Sequence, residues 1–172
     1  MRAARAGHRA LEPRLGGFGG VAAALAAVEA GKRVVMSEPT DWIGGQVTSQ
    51  AVAPLDEHFY IETFGGTRSY YRFREGVRAH YRKHYPAARR LGQGAFNPGR
   101  GWVSRLCYEP RVGLQVLEEM LAPHVAAGRL RIGDGNGATV DAQFTRVWLQ
   151  QAGEDPHQRG LAGTVLAEQG VD

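Results

Sequence analysis

The sequence predicts an α/β fold with a partial, incomplete parallel sheet, and three features carry that prediction. A glycine cluster, Gly16-Gly17 and Gly19-Gly20, opens an alanine-rich helical pattern over 21–30. That pattern stops at Gly31 and passes into the apolar run Arg33-Val34-Val35-Met36-Ser37-Glu38. A second helical pattern opens at Pro110 and gives way, after Gly128, to Leu130-Arg131-Ile132. Helix, tight glycine and short buried strand together form the second half of a βαβ unit.

Size and composition agree with one such unit. A chain of 172 residues buries one sizeable core. Hydrophobic residues at 43% against 22% charged place it among globular proteins rather than disordered ones. The most apolar stretch, Val21 to Val28, falls far short of the roughly 20 residues that span a bilayer, so no membrane association is expected. The single Cys107 excludes an internal disulfide framework and a cysteine-based zinc cluster, which favours a reducing, cytoplasmic setting. The net charge of +4 is nearly all arginine and decides no partner class by itself.

Taken in order, residues 1–14 (MRAARAGHRALEPR) form a basic arm with one acid, Glu12. The composition favours disorder. It also suits an organellar targeting peptide, although the serine enrichment of such peptides is missing. Strong helix formers fill 21–30, with Gly31 at the C′ position where a left-handed residue closes a helix. The irregular segment 39–66, with Gly44-Gly45 and Gly65-Gly66, is long enough to imply a task such as lining a site. Ser69 to Tyr85 reads as a helix with Phe73, Val77 and Tyr81 on one face, stopped by Pro86. Residues 87–104 read as a loop. The helix from Pro110 turns Val112, Val116, Leu117, Met120 and Leu121 inward. A glycine-rich GDGNG turn then leads to a candidate strand at Ala138-Thr139-Val140, and from Thr145 onward the pattern fades. The expected organisation is an arm over 1–14, an α/β unit over 15–145 and a poorly defined tail over 146–172.

The run LGGFGGVAAALAA at 15–27 carries the chemistry. In a G-x-G-x-x-G turn the second glycine lets the backbone approach a pyrophosphate and the third lets helix and strand pack closely. The helix N-terminus adds free N–H groups and its positive dipole end. Here Gly17 and Gly20 stand second and third, and Leu15 stands first. Glu38, about twenty residues on and at the end of a strand, is placed to accept hydrogen bonds from a ribose diol. The plainer account is a glycine-rich turn and a surface glutamate. Asp41-Trp42-Ile43-Gly44-Gly45-Gln46 adds a second place where backbone N–H groups can meet a ligand.

The stretch GGVAAALAAVEAGKRVVMSEPTDWIGGQVTSQAV resembles the amino-terminal signature of FAD-dependent oxidoreductases with the glutathione-reductase-type fold. The likeness continues through GGTRSYYRFREGVRAHYRKHYP, NPGRGWVSRLCYEPRVGLQVLEEMLAP and GRLRI, and so covers roughly 16–132, with WVSRLCYEPRV its most specific run. The resemblance implies a Rossmann-like FAD/NAD(P)-binding domain in which Gly17, Phe18, Gly19 and Gly20 line the FAD pyrophosphate. Glu38 would hold the adenosine ribose, and Gly44, Gly45 and Gln46 would approach the ribityl chain and flavin. It also implies that the strand near Thr139 and Val140 passes the adenine. The expected cofactor is FAD, the expected partner is a small-molecule substrate, and the expected chemistry is flavin-mediated hydride or electron transfer. No catalytic residue is named, because the flavin does the chemistry.

The sequence departs from the family pattern where a hydrophobic first strand should precede Gly16. RALEPRL stands there, and the first glycine is Leu15. The family chain is several times longer and includes a substrate domain. The expectation is therefore an amino-terminal portion with weak or absent FAD binding.

Other candidates have plainer accounts. Arg68, Arg72, Arg74, Arg78 and Arg82, interleaved with Tyr70, Tyr71, Phe73 and Tyr81, resemble a nucleic-acid surface over 68–82. Helical spacing instead predicts aromatics inward and arginines outward, so no nucleic-acid partner is expected. Arg105, near Trp102 and Ser104, can meet an anionic substrate or the flavin, or pair with Glu109. His80 and His84 lack the glutamate of a metalloprotease motif and read as a surface pair, so no metal is expected. Cys107 reads as a buried structural thiol.

Overall fold

The computed structural model describes residues 16–133, apart from 39, 53 and 91–94, together with the backbone of two short strands at 144–146 and 166–168. The elements run α1 (Phe18–Glu29), β1 (Arg33–Ser37), a 3₁₀ turn (Gly45–Val47), α2 (Arg68–His84), α3 (Pro86–Arg89), α4 (Pro110–Ala126), β2 (Leu130–Gly133), β3 (Phe144–Arg146) and β4 (Leu166–Glu168). The amino-terminal arm, Leu15 and the candidate strand at 138–140 lie outside the described residues.

β1 and β2 pair in parallel, with Val34 opposite Leu130 and Met36 opposite Ile132. The other edge of β1 pairs antiparallel with β4, which pairs antiparallel with β3, giving the order β2-β1-β4-β3. Among the described residues the parallel part of the sheet is thus two strands wide. It is a partial α/β nucleotide-binding arrangement, as the helix–glycine–strand pattern predicts.

Both helices that feed the parallel strands end in the same way. Gly31, at φ +81°, follows α1, and its N–H bonds Val28 O while that of Lys32 bonds Ala27 O. Gly128, at φ +67°, follows α4, with its N–H on Val125 O and that of Arg129 on His124 O. These paired bonds are the Schellman closure, which needs a left-handed residue that glycine supplies without a Cβ clash. Each turns the chain directly into a strand.

The core is the seam between α1, α2, α4 and one face of the sheet. Val21, Ala24, Leu25 and Val28 of α1 meet Val34 and Met36 of β1, Phe73 and Val77 of α2, Val116, Leu117 and Leu121 of α4, and Leu130 of β2. Alternation along β1 decides which face is covered: Val34 and Met36 are buried, whereas Val35 and Ser37 are half-buried. Among the described residues the helices therefore cover one face of β1, whereas a complete parallel sheet is covered on both.

Two expectations need correction. Pro86 ends α2, but it also starts α3, because proline's missing N–H costs nothing at the first helical position. The arginines of α2 do not all point outward either. Arg68 and Arg72 are exposed, but Arg74 and Arg78 are buried at 1% and 5% exposure. A loop carboxylate pair, Glu57 and Glu62, draws them in (see below).

Candidate functional site

α1 begins at Phe18 with Gly17 as its N-cap, and no side chain caps it. The first helical bond runs from Val21 N to Gly17 O, so the amides of Phe18, Gly19 and Gly20 have no partner within the helix. A Cβ added at Gly17 would meet nothing within 4 Å, so the space beside this turn is open. At Gly16 the opposite holds. A Cβ there would fall on Oε2 of Glu38 and lie 2.6 Å from the Glu38 Cβ.

Glu38 thus closes on the glycine turn from the end of β1. It is buried at 7% exposure, and its Oε1 accepts from Thr40 N at 2.9 Å and Thr40 Oγ1 at 2.7 Å. Among the described residues no hydrogen bond reaches Oε2, the oxygen nearer Gly16.

The second glycine pair reaches the same place. Gly44 N donates to Gly16 O at 2.6 Å, and Gly17 and Gly44 form a parallel bridge. Gly44 sits at φ +102° and Gly45 at +52°, which turns the chain into the 3₁₀ element. A Cβ on Gly45 would lie 3.2 Å from the Gly17 Cα, so the two glycine segments approach backbone to backbone. Gln46 is exposed at the start of this turn.

The turn is anchored from below by the most family-specific stretch of sequence. Buried Thr48 donates to Ile43 O at 2.6 Å, and Tyr108 Oη to Val47 O at 3.4 Å. Tyr108 is wedged by Gly113 of α4 and meets Phe73 edge-on, with ring centroids 5.7 Å apart. Burial raises the Tyr108 hydroxyl above its ordinary pKa, so it remains a donor. The sequence-predicted residues Gly17, Phe18, Gly19, Gly20, Glu38, Gly44, Gly45 and Gln46 are therefore brought to one end of α1 and β1. Beside them a hollow of about 280 Å³, lined by Glu38, Asp41, Glu118 and Ile132, lies off the carboxyl end of the two parallel strands.

This is where open α/β sheets receive ligands. The family model described as FAD dependent oxidoreductase matches residues 16–151. The chain belongs to the FAD-dependent oxidoreductase family. Searches of curated proteins and of solved structures returned no match. The match starts on the glycine turn and runs through α4 and β2.

Sequence reasoning missed a second assembly in this family member. Arg74 pairs with Glu57 and Glu62, and Arg78 Nη2 reaches Glu62 Oε1 at 2.7 Å. Glu57 also accepts from Tyr70 Oη at 2.5 Å and Ser104 Oγ at 3.0 Å. Burial lowers the Arg74 guanidinium to a pKa of about 10, helped by neighbouring Arg78, so it stays charged at neutral pH. Nothing in the spacing of 57 and 62 relative to 74 and 78 announces the contact, because the acids sit on an irregular segment.

Two cavities flank this network and share Glu57 and His58 as a common wall. One, of about 380 Å³, runs from Phe18 and Leu25 of α1 to Tyr70 and Phe73 of α2. The other, of about 640 Å³, lies between 57–62 and 95–105. Arg105 does not pair with Glu109, which accepts from Tyr85 Oη instead; its guanidinium lies 4.6 Å over the Phe59 ring. Cys107 is buried with Sγ 3.8 Å from Ser104 O, a structural position. The His80 and His84 rings lie 4.5 Å apart, tilted by 39°, on α2. Among the described residues no helix is long and apolar enough to cross a membrane.

Proposed function

We propose that residues 16–46 cradle the ADP half of FAD and that the chain serves a flavin-dependent oxidoreductase acting on a small molecule. The observation that carries this reading is the open space at Gly17. Beside it stand the Gly19 and Gly20 amides of the first helical turn, which no helical bond uses, and Glu38, whose Oε2 lies against neighbouring Gly16. The residues present suit the group: backbone donors and a dipole for the pyrophosphate, and a carboxylate acceptor for a ribose diol.

In this reading the amides of Gly19 and Gly20 bind pyrophosphate oxygens, with Gly17 and Phe18 lining the turn beside them. Glu38 Oε2 takes the ribose hydroxyls, while Thr40 fixes Oε1 and so the carboxylate plane. Gly44 and Gly45 let this segment pack on Leu117, Thr48 and the Gly17 backbone, and so bring exposed Gln46 to the next part of the cofactor. Bound FAD would supply the transfer of a hydride or electron pair, and the protein supplies placement. A glutathione-reductase-type arrangement and a cytoplasmic setting belong to the same proposal.

The test is a flavin fluorescence titration of the 172-residue chain with FAD, with ADP as competitor and riboflavin as control. Any FAD binding should be weak, as the missing first strand predicts, but saturable and displaced by ADP, with riboflavin binding more weakly still, since these residues grip the nucleotide half. Gly17→Ala should abolish binding with little effect on melting, because its methyl meets only the ligand. Equal binding of FAD by Gly17→Ala and the parent chain would refute the assignment, as would riboflavin matching FAD.

A further inference from the structure

We infer that the cavity of about 640 Å³ between 57–62 and 95–105 is a binding site for a small organic carboxylate bearing a flat apolar group, gripped by Arg105.

The floor of this cavity makes no demand on a ligand. Glu57 and Glu62 are matched by Arg74 and Arg78, so the four charges cancel. The Glu57 oxygens take Arg74, Tyr70 and Ser104, and those of Glu62 take Arg74 and both terminal nitrogens of Arg78. Asn97 is equally committed: its amide donates to Gly101 O and Ser104 O, and its oxygen accepts from Cys107 N. A cationic ligand would find both acids already neutralised.

The mouth is different. Arg105 is exposed, and among the described residues it has no carboxylate partner. The Phe59 face beneath it limits its orientation without neutralising it. Around it stand Trp102 at 94% exposure, Phe59 at 70% and Val103 at 53%, an apolar lip of the kind that marks a binding surface. A planar guanidinium takes a carboxylate through two parallel hydrogen bonds, and an indole takes a flat ring by stacking. The volume falls within the range of small-molecule sites. As the substrate site of a flavin enzyme this cavity rests on the proposal above; as a carboxylate site it stands without it.

Benzoate and benzylamine, similar in size and opposite in charge, are the probes. The chain has three tryptophans, and a Trp102→Phe variant assigns the Trp102 indole N–H in a proton–nitrogen spectrum. Benzoate should shift that signal saturably, and benzylamine should not. Arg105→Gln should weaken benzoate binding by about tenfold or more at unchanged melting temperature, with Arg105→Lys in between, because an ammonium has no bidentate fork. The inference is overturned if Trp102 shows no saturable shift, if benzylamine matches benzoate, or if Arg105→Gln binds benzoate like the parent. Flavin binding is read in a separate titration with Gly17→Ala, so failure of either proposal shows independently.

Discussion

Replacing Arg74 with methionine tests the buried charge network most directly. Arg74 is 1% exposed and its guanidinium bridges Glu57 and Glu62, and the Glu57 side chain is itself only 2% exposed. Methionine fills much of the volume but leaves Glu57 buried with only the Tyr70 and Ser104 hydroxyls as donors. Removing one partner of a buried pair costs about 3–5 kcal/mol, chiefly because the remaining charge is stranded. For a chain of this length 1 kcal/mol moves the midpoint by about 2–4 °C, so a fall of about 6–20 °C is expected. Thermal unfolding followed by circular dichroism reads it. Because so large a loss rivals a typical total stability of about 5–15 kcal/mol, the Arg74→Met, Glu57→Gln double variant is measured alongside. Glutamine keeps an acceptor for Tyr70 and Ser104 without the charge, so more than half of the loss should return. A single variant melting within about 2 °C of the parent would refute the reasoning, and so would a double variant no better than the single.

Four further outcomes follow from the same structure. Gly16→Ala should destabilise the fold by about 1–3 kcal/mol in urea titrations, because its methyl falls on Glu38. Gly17→Ala should stay within about 1 kcal/mol of the parent, the residual cost being that of a poorer N-cap. Gly44→Ala should cost at least about 1–3 kcal/mol, since it meets Leu117 Cδ1 at 2.7 Å at a φ of +102°. Burial, then the neighbouring His84, lowers the pKa of His80, while Glu119 and Glu109 pull it upward and Lys83 down. The unfolded chain then binds this proton more readily, so the contribution of His80 to stability is lost as pH falls below about 6.5. His80→Gln should flatten the acid side of a melting-temperature profile; an unchanged slope would count against it.

What the sequence revealed was whatever the chain decides locally. The α1 stop at Gly31, the run from Arg33, Glu38 at its end and the opening of α4 at Pro110 are all visible because each depends on neighbours a few positions away. The co-location of Gly17 with Gly44 followed only from family likeness, since their bridge joins segments with no shared periodicity. The burial of Arg74 and Arg78 was illegible for a related reason. On a helix the pattern of Phe73, Val77 and Tyr81 defines the inner face, and arginines beside it read as its solvated border. Only the arrival of Glu57 and Glu62 from an irregular segment turns that border into interior. The larger cavity, built from the same segment and from 95–105, was hidden with it.

The twin glycine closures at Gly31 and Gly128 also bear on the order of folding. Each helix hands its chain to a strand through bonds spanning only a few residues, so α1–β1 and α4–β2 are units of low contact order. Joining them, with Val34 beside Leu130, closes a loop of about a hundred residues, and that step carries the entropy. Helix–strand pairs should therefore form early and sheet pairing late. The glycine turn at 16–17, tied to 44 beside the first unit, should then be organised before the sheet that it serves.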